Sequence, residues 1–189
     1  TPGTPPDCPA FKAAAREQWD RSAPGWNAHT AEIRAWLRPA TDAMIDMAGV
    51  GPGDAVLDVA AGAGDQSLDI AQRVGPTGRV LATDLSPAIL ALARDNARLA
   101  GHGNVQTLVA DGEALPVPPA SFDAVVCRLG LMFFPDPQQG LRAMHRALRT
   151  GGGVCTCTNS SWISTSKPLA SACSIVSVGL ARPDSIRLI

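Results

Sequence analysis

The residues that could do chemistry in this sequence are a few acids and glycines whose order along the chain matters more than their number. Val56-Leu57-Asp58-Val59-Ala60-Ala61-Gly62-Ala63-Gly64-Asp65 is an apolar run carrying one acid, and it ends in two glycines one residue apart. β-Branched and small residues suit a parallel strand covered on both faces, and Gly62 and Gly64 let the backbone approach a ligand that a Cβ would hold off. Gln66-Ser67-Leu68-Asp69-Ile70-Ala71 continues with helical spacing, so the free N–H groups of its first turn face the space above the glycines. Asp84 follows twenty residues beyond Gly64 at the end of a second apolar run. At that spacing an acid can accept hydrogen bonds from ribose hydroxyls. Asp111-Gly112-Glu113 closes a third run, where a carboxylate and a neighbouring backbone N–H can read an adenine edge.

Two ligand classes use a glycine turn of this kind. A dinucleotide site needs a third Gly or Ala three residues after the second glycine, where strand and helix pack closely, and Ser67 stands there instead. Asp58 ahead of the glycines suits a cationic, amino-acid-bearing ligand better than pyrophosphate. With Asp58/Gly62/Gly64, Asp84 and Asp111 in register, the chain resembles the class I S-adenosylmethionine-dependent methyltransferases, and within them the ubiquinone and menaquinone C-methyltransferase-like group. The resemblance implies that S-adenosylmethionine binds against Asp58, Ala60, Gly62, Gly64, Asp84, Leu85, Asp111, Gly112, Glu113 and Arg128. It extends over Phe11 to Thr158, includes Phe122-Asp123-Ala124-Val125-Val126-Cys127 before the pocket-lining stretch of that group, and departs from the usual L-x-P-G-G ending at Thr150.

Arg128 ends a fourth apolar run, and an ion in an apolar setting should be paired or face a ligand; a pocket role, as a catalytic as well as a donor-binding residue, and a surface salt bridge are both open. His29 and Trp26 form a His–aromatic pair that an acceptor could reach, which makes His29 a candidate base or acceptor-orienting residue, against the plainer reading of an exposed helical histidine. His102 and His145 read as solvent-facing.

These groups need elements to carry them. Phe11 to Arg38 reads as two amphipathic helices broken at Pro24-Gly25 and limited by Pro39, forming a helical cap that Thr41 to Ala48 continues. A strand at the glycine motif, a helix to about Val74, a strand over Arg79 to Thr83, a Ser86-capped helix from Pro87 to about Ala100 and a strand over Val105 to Ala110 follow. A strand over Phe122 to Cys127, a helix over Gln138 to Arg149 and a strand over Val154 to Thr158 complete the pattern. The expected fold is α/β, a Rossmann-like three-layer sandwich with a mostly parallel sheet and right-handed crossovers. The expected organisation is a disordered stretch over 1–10, the helical cap over 11–48, the α/β core over 49–158 and an atypical tail over 159–189.

From Asn159 the sequence turns Ser-rich, and Ala172 to Leu180 is the one later stretch with strand character. The C-terminal strands are therefore expected to be incomplete, leaving an open edge on the fifth strand that favours a homo-oligomer. The 189 residues suit one domain with a sizeable core, and a net charge of −1 gives no electrostatic case for nucleic acid. No apolar run reaches the roughly 20 residues that span a bilayer, and the start lacks a basic segment followed by an apolar one, the pattern of a cytoplasmic protein. Five cysteines without CxxC spacing indicate neither a disulfide framework nor a zinc site. The resemblance implies methyl transfer from S-adenosylmethionine to a small-molecule acceptor. The alternatives are a non-catalytic adenosyl-ligand binding protein and a nicotinamide-dependent oxidoreductase.

Overall fold

The computed structural model describes residues 8–159, 173–179 and 187–188. Strand β1 (Ala55–Val59) is buried throughout, and its side chains alternate between two cores. Val56 packs with Met44, Ile70 and Val74 on one face, whereas Leu57 and Val59 pack with Leu131 and Met144 on the other. Layers of helix on both faces follow from that alternation. β2 (Arg79–Asp84) and β3 (Val105–Val109) add to one side of β1, and β4 (Phe122–Arg128) and β5 (Leu148–Asn159) to the other, all five parallel in the order β3-β2-β1-β4-β5. Helices α3 (Asp65–Val74), α4 (Pro87–Leu99) and α5 (Pro137–Ala147) connect them. This is the expected Rossmann-like sheet, and the order reverses between β1 and β4, where open parallel sheets form their crevice.

The cap departs from expectation in its breaks. α1 (Cys8–Ala28) runs straight through Pro24, and α2 (Thr30–Met47) runs through Pro39 into the segment expected as a separate helix. A proline inside a helix costs about 3 kcal/mol, but packing on either side offsets it: Ala23 is buried against Ala63 and Ile89, and Leu37, Thr41 and Met44 are buried along α2. The joint falls instead at His29, whose backbone leaves the helical region at φ −104°, ψ 17°. Of the ten residues expected to be disordered, 8–10 begin α1, and 1–7 lie outside the described residues.

At the other end, α5 stops at Ala147 rather than Arg149, because Leu148 is drawn into pairing with Phe122 before the register shifts to Ala124 opposite Gly153. The fifth strand does not keep an open edge. β6 (Cys173–Gly179), inside the stretch expected to have strand character, pairs antiparallel along it from Gly153↔Gly179 to Asn159↔Cys173, and β7 (Arg187–Leu188) pairs with β6 over two residues. Backbone groups that would have invited another chain are thus satisfied within this one. Cys155 and Cys157 share one face, as expected of alternate strand positions. Cys157 is disulfide-bonded, where cysteine spacing alone indicated no disulfide framework.

Candidate functional site

A cavity of about 200 Å³ opens at the carboxyl ends of β1, β2, β3 and β4, roofed by one face of α1. Its floor is the turn after β1. Ala60 (φ 57°), Gly62 (φ 59°) and Gly64 (φ 85°) take left-handed conformations there, and Gly64 caps α3. A Cβ on Gly64 would lie 3.0 Å from the Ala93 Cβ, so its absence lets α4 approach the turn. The Gly62 N–H donates to Asp84 Oδ2 at 3.0 Å, and the Ser86 N–H donates to Oδ1 at 3.0 Å. Asp84 thereby joins the glycine turn to the start of α4 with its carboxylate facing the cavity, and burial pushes its pKa upward despite those bonds. Ser86 caps α4 by accepting from Ile89 N at 3.1 Å, and its own hydroxyl donates to Asp20 of α1 at 2.5 Å.

Asp58 lies below this floor. It is fully buried, faces α3 rather than the cavity, and accepts from Ser67 Oγ at 2.5 Å and from Gln66 Nε2. Burial pushes its carboxyl up to about 7, while the two hydrogen bonds and the Arg128 charge pull the other way. Ser67, which occupies the place of a third glycine, therefore pins α3 to the strand instead of merely allowing close packing.

At the β3 end, Asp111 Oδ1 accepts from the Glu113 N–H at 2.9 Å, and Asp111 Oδ2 accepts from Lys12 Nζ at 2.6 Å. Glu113 pairs with the same ammonium, and its Oε1 accepts from the Asp136 N–H at 2.6 Å. Burial lowers the Lys12 pKa, but the bonds to the two acids outweigh it and raise the group overall. A Cβ on Gly112 would meet Phe134 at 2.2 Å, and one on Gly140 would meet the same ring at 2.5 Å, so both glycines make the slot for that ring.

Arg128, at the β4 end, is 7% exposed and lines the cavity, yet its guanidinium is committed. It makes a bidentate bond to Asp65 at 2.8 and 2.7 Å and donates to Thr41 Oγ1 at 2.9 Å. A buried pair at the cavity wall stands in place of the surface bridge considered from sequence. Leu129 follows with φ 61° and donates its N–H to the Cys157 carbonyl at 2.6 Å. Beyond it, Trp19 meets Trp26 (centroids 5.7 Å, 84°) and Phe133 (5.5 Å, 86°) edge to face, forming an aromatic wall.

Of the sequence candidates, Ala60, Gly62, Asp84, Leu85, Asp111, Gly112, Glu113 and Arg128 line the cavity. Asp58 and Gly64 shape it from behind. His29 is exposed at the α1–α2 joint and does not line the cavity, which corrects its assignment as a base or acceptor-orienting residue: the unbroken α1 carries Trp26 inward and leaves His29 outside. Lys12, Trp19, Asp65 and Phe134 were missed. The signal for the first two was present, since Phe11, Lys12, Ala15, Trp19 and Trp26 fall on one helical face once α1 is taken as continuous.

This fold, with its crevice at the reversal of strand order, defines a Rossmann-like α/β protein. Residues 56–152 match the family described as a methyltransferase domain, and the chain belongs to that family. Over 109 residues it is 40% identical to the ubiquinone/menaquinone biosynthesis C-methyltransferase UbiE of Teredinibacter turnerae, covering 57% of this chain and 44% of that protein. The chain thus matches less than half the length of the curated relatives. Among solved structures, it superposes on a SAM-dependent methyltransferase from Aquifex aeolicus with a TM-score of 0.61 at 20% identity, over 70% of this chain and 68% of the other. An arsenic(III) S-adenosylmethionine methyltransferase from Chlamydomonas reinhardtii is similar with a TM-score of 0.54 at 30% identity, over 59% and 40%. Among the described residues, no helix is long and apolar enough to cross a membrane.

Proposed function

We propose that the cavity binds S-adenosylmethionine and that the protein transfers its methyl group to a small-molecule acceptor. The observation that carries this reading is Asp84. Its carboxylate is fixed by the Gly62 N–H on one side and the Ser86 N–H at the start of α4 on the other, and the residue lines the cavity, which suits it to accept from a ribose diol. Charge supports it. Asp65, Asp84, Asp111 and Glu113 line the cavity against Lys12 and Arg128, an excess of carboxylate that suits a ligand carrying a sulfonium and an ammonium against one carboxylate. Membership of the methyltransferase-domain family points the same way.

Bound S-adenosylmethionine supplies a methyl group made electrophilic by the sulfonium. Transfer forms a bond from the acceptor's nucleophilic atom to that carbon, and the electrons of the breaking S–C bond return to sulfur. The protein has to align donor and acceptor and keep water out. Asp84 and the β3-end acids hold the nucleoside, and Trp19, Trp26, Met132 and Phe133 present apolar surface beside the floor where an acceptor enters. Calorimetric titration with S-adenosylmethionine, S-adenosylhomocysteine and NAD tests the reading. Binding of the first two without NAD is expected; binding of NAD alone, or of none, would overturn it.

A further inference from the structure

Almost every polar side chain facing the cavity is already engaged. Lys12, Asp65, Gln66, Asp84, Asp111, Glu113 and Arg128 all bond within the protein. Among the described residues, the indole N–H groups of Trp19 and Trp26 have no hydrogen-bond partner. Only one of these two stands over the glycine turn. Trp26 Nε1 lies 3.7 Å from the position a Cβ would take on Gly62, and the ring is held upright by its edge-to-face contact with Trp19.

An indole N–H can donate but not accept, so it selects an acceptor on whatever lies over Gly62. In the donor reading, ribose hydroxyls donate to Asp84 and the adenine is carried toward Asp111 and Glu113. The group left to lie over the turn, and the one that only accepts, is the amino-acid carboxylate. The free amides of the first turn of α3 face the same space, where a helix start favours negative charge. The cations of the cavity are not available for this task, since Lys12 serves two acids and Arg128 serves Asp65 and Thr41.

We infer that Trp26 is a positioning residue of the donor site, its indole N–H donating to the amino-acid carboxylate of the bound donor and so fixing the sulfonium arm above Gly62. This rests on the donor reading above. It also gives the cap a task in binding as well as in coverage: α1 brings a neutral side-chain donor over the glycine turn.

The test compares two compounds that share the nucleoside, S-adenosylhomocysteine and 5′-methylthioadenosine, of which only the first carries the amino-acid group. Trp26→Phe keeps a ring against Trp19 and removes the N–H. It should weaken S-adenosylhomocysteine about tenfold, as loss of a hydrogen bond to a charged group does, and leave 5′-methylthioadenosine within twofold. In the unaltered full chain, the Trp26 indole proton resonance should move downfield with S-adenosylhomocysteine and not with 5′-methylthioadenosine, a readout independent of how the variant folds. Equal weakening of both compounds, or an indole proton indifferent to both, would overturn the proposal. If the unaltered protein binds neither compound, the donor reading itself fails, and this proposal with it.

Discussion

At the scale of single residues, the site depends on groups whose environments differ from what their types suggest. Asp58 looks from sequence like a ligand-facing acid, but period-two alternation in β1 sends it to the α3 face with Val56, where Ser67 and Gln66 hold it. Because burial raises its pKa in the folded chain to about 7, above the unfolded value near 3.9, the folded state binds more protons than the unfolded between those values. Stability conferred by the protonated form is therefore complete below about pH 4 and declines as pH rises toward 7. The raised Asp84 pKa acts in the same direction. Thermal melts should show the melting temperature falling between about pH 4 and 7, and Asp58→Asn should flatten much of that slope; a slope unchanged in the variant would refute the assignment. A second residue-scale test concerns the turn. A Cβ on Gly130 would lie 2.3 Å from the Ala60 Cβ and 2.9 Å from Cys127 Sγ. Gly130→Ala should cost about 1–3 kcal/mol in urea denaturation. Adding Ala60→Gly removes the closer clash and a left-handed alanine, so the double variant should recover at least half of the loss.

At the scale of elements, the sequence disclosed most of the sheet and misplaced its helix breaks. The strands were legible because buried strands read as unbroken apolar runs closed by glycines or acids. Pro24 and Pro39 misled because local propensity argues for a break, while burial of Ala23, Leu37 and Thr41 overrides it. His29 was proposed for its nearness in sequence to Trp26, but the helix ends between them, Trp26 lining the cavity and His29 standing exposed at the joint. Arg128 was legible as an ion needing a partner, but its partner was not: Asp65 lies 63 positions away in the chain, and only the β1–β4 pairing brings the two together. Arg128→Met should leave Asp65 buried and unpaired and should cost about 3–5 kcal/mol, measured by chemical denaturation. A loss below 1 kcal/mol would show that water reaches the pair. The α1 roof is held at one end by Lys12 on Asp111 and Glu113. Lys12→Met should accordingly make amides of α1 exchange faster with solvent than those of α3.

At the scale of the whole molecule, the mostly parallel sheet followed from the alternation of strands and helices, whereas the order β3-β2-β1-β4-β5 and the pairing of the tail did not. The strand character of Ala172 to Leu180 was legible in the tail, but its place was not, being set by backbone pairing with Gly153 to Asn159. A chain ending at Asn159 should scatter more light at micromolar concentration than the full chain, because it exposes the β5 edge that β6 covers; equal scattering would show that this edge is protected some other way. The molecule's function turns on whether the sheet-end acids read a nucleoside. Titration of S-adenosylhomocysteine into the unaltered protein and into Asp84→Asn, with circular dichroism confirming an unchanged fold, addresses this most directly. The account predicts at least a tenfold loss of affinity in the variant, since charge-assisted bonds to a diol carry ~2–3 kcal/mol and tenfold is ~1.4 kcal/mol. Affinities within twofold of one another would contradict it.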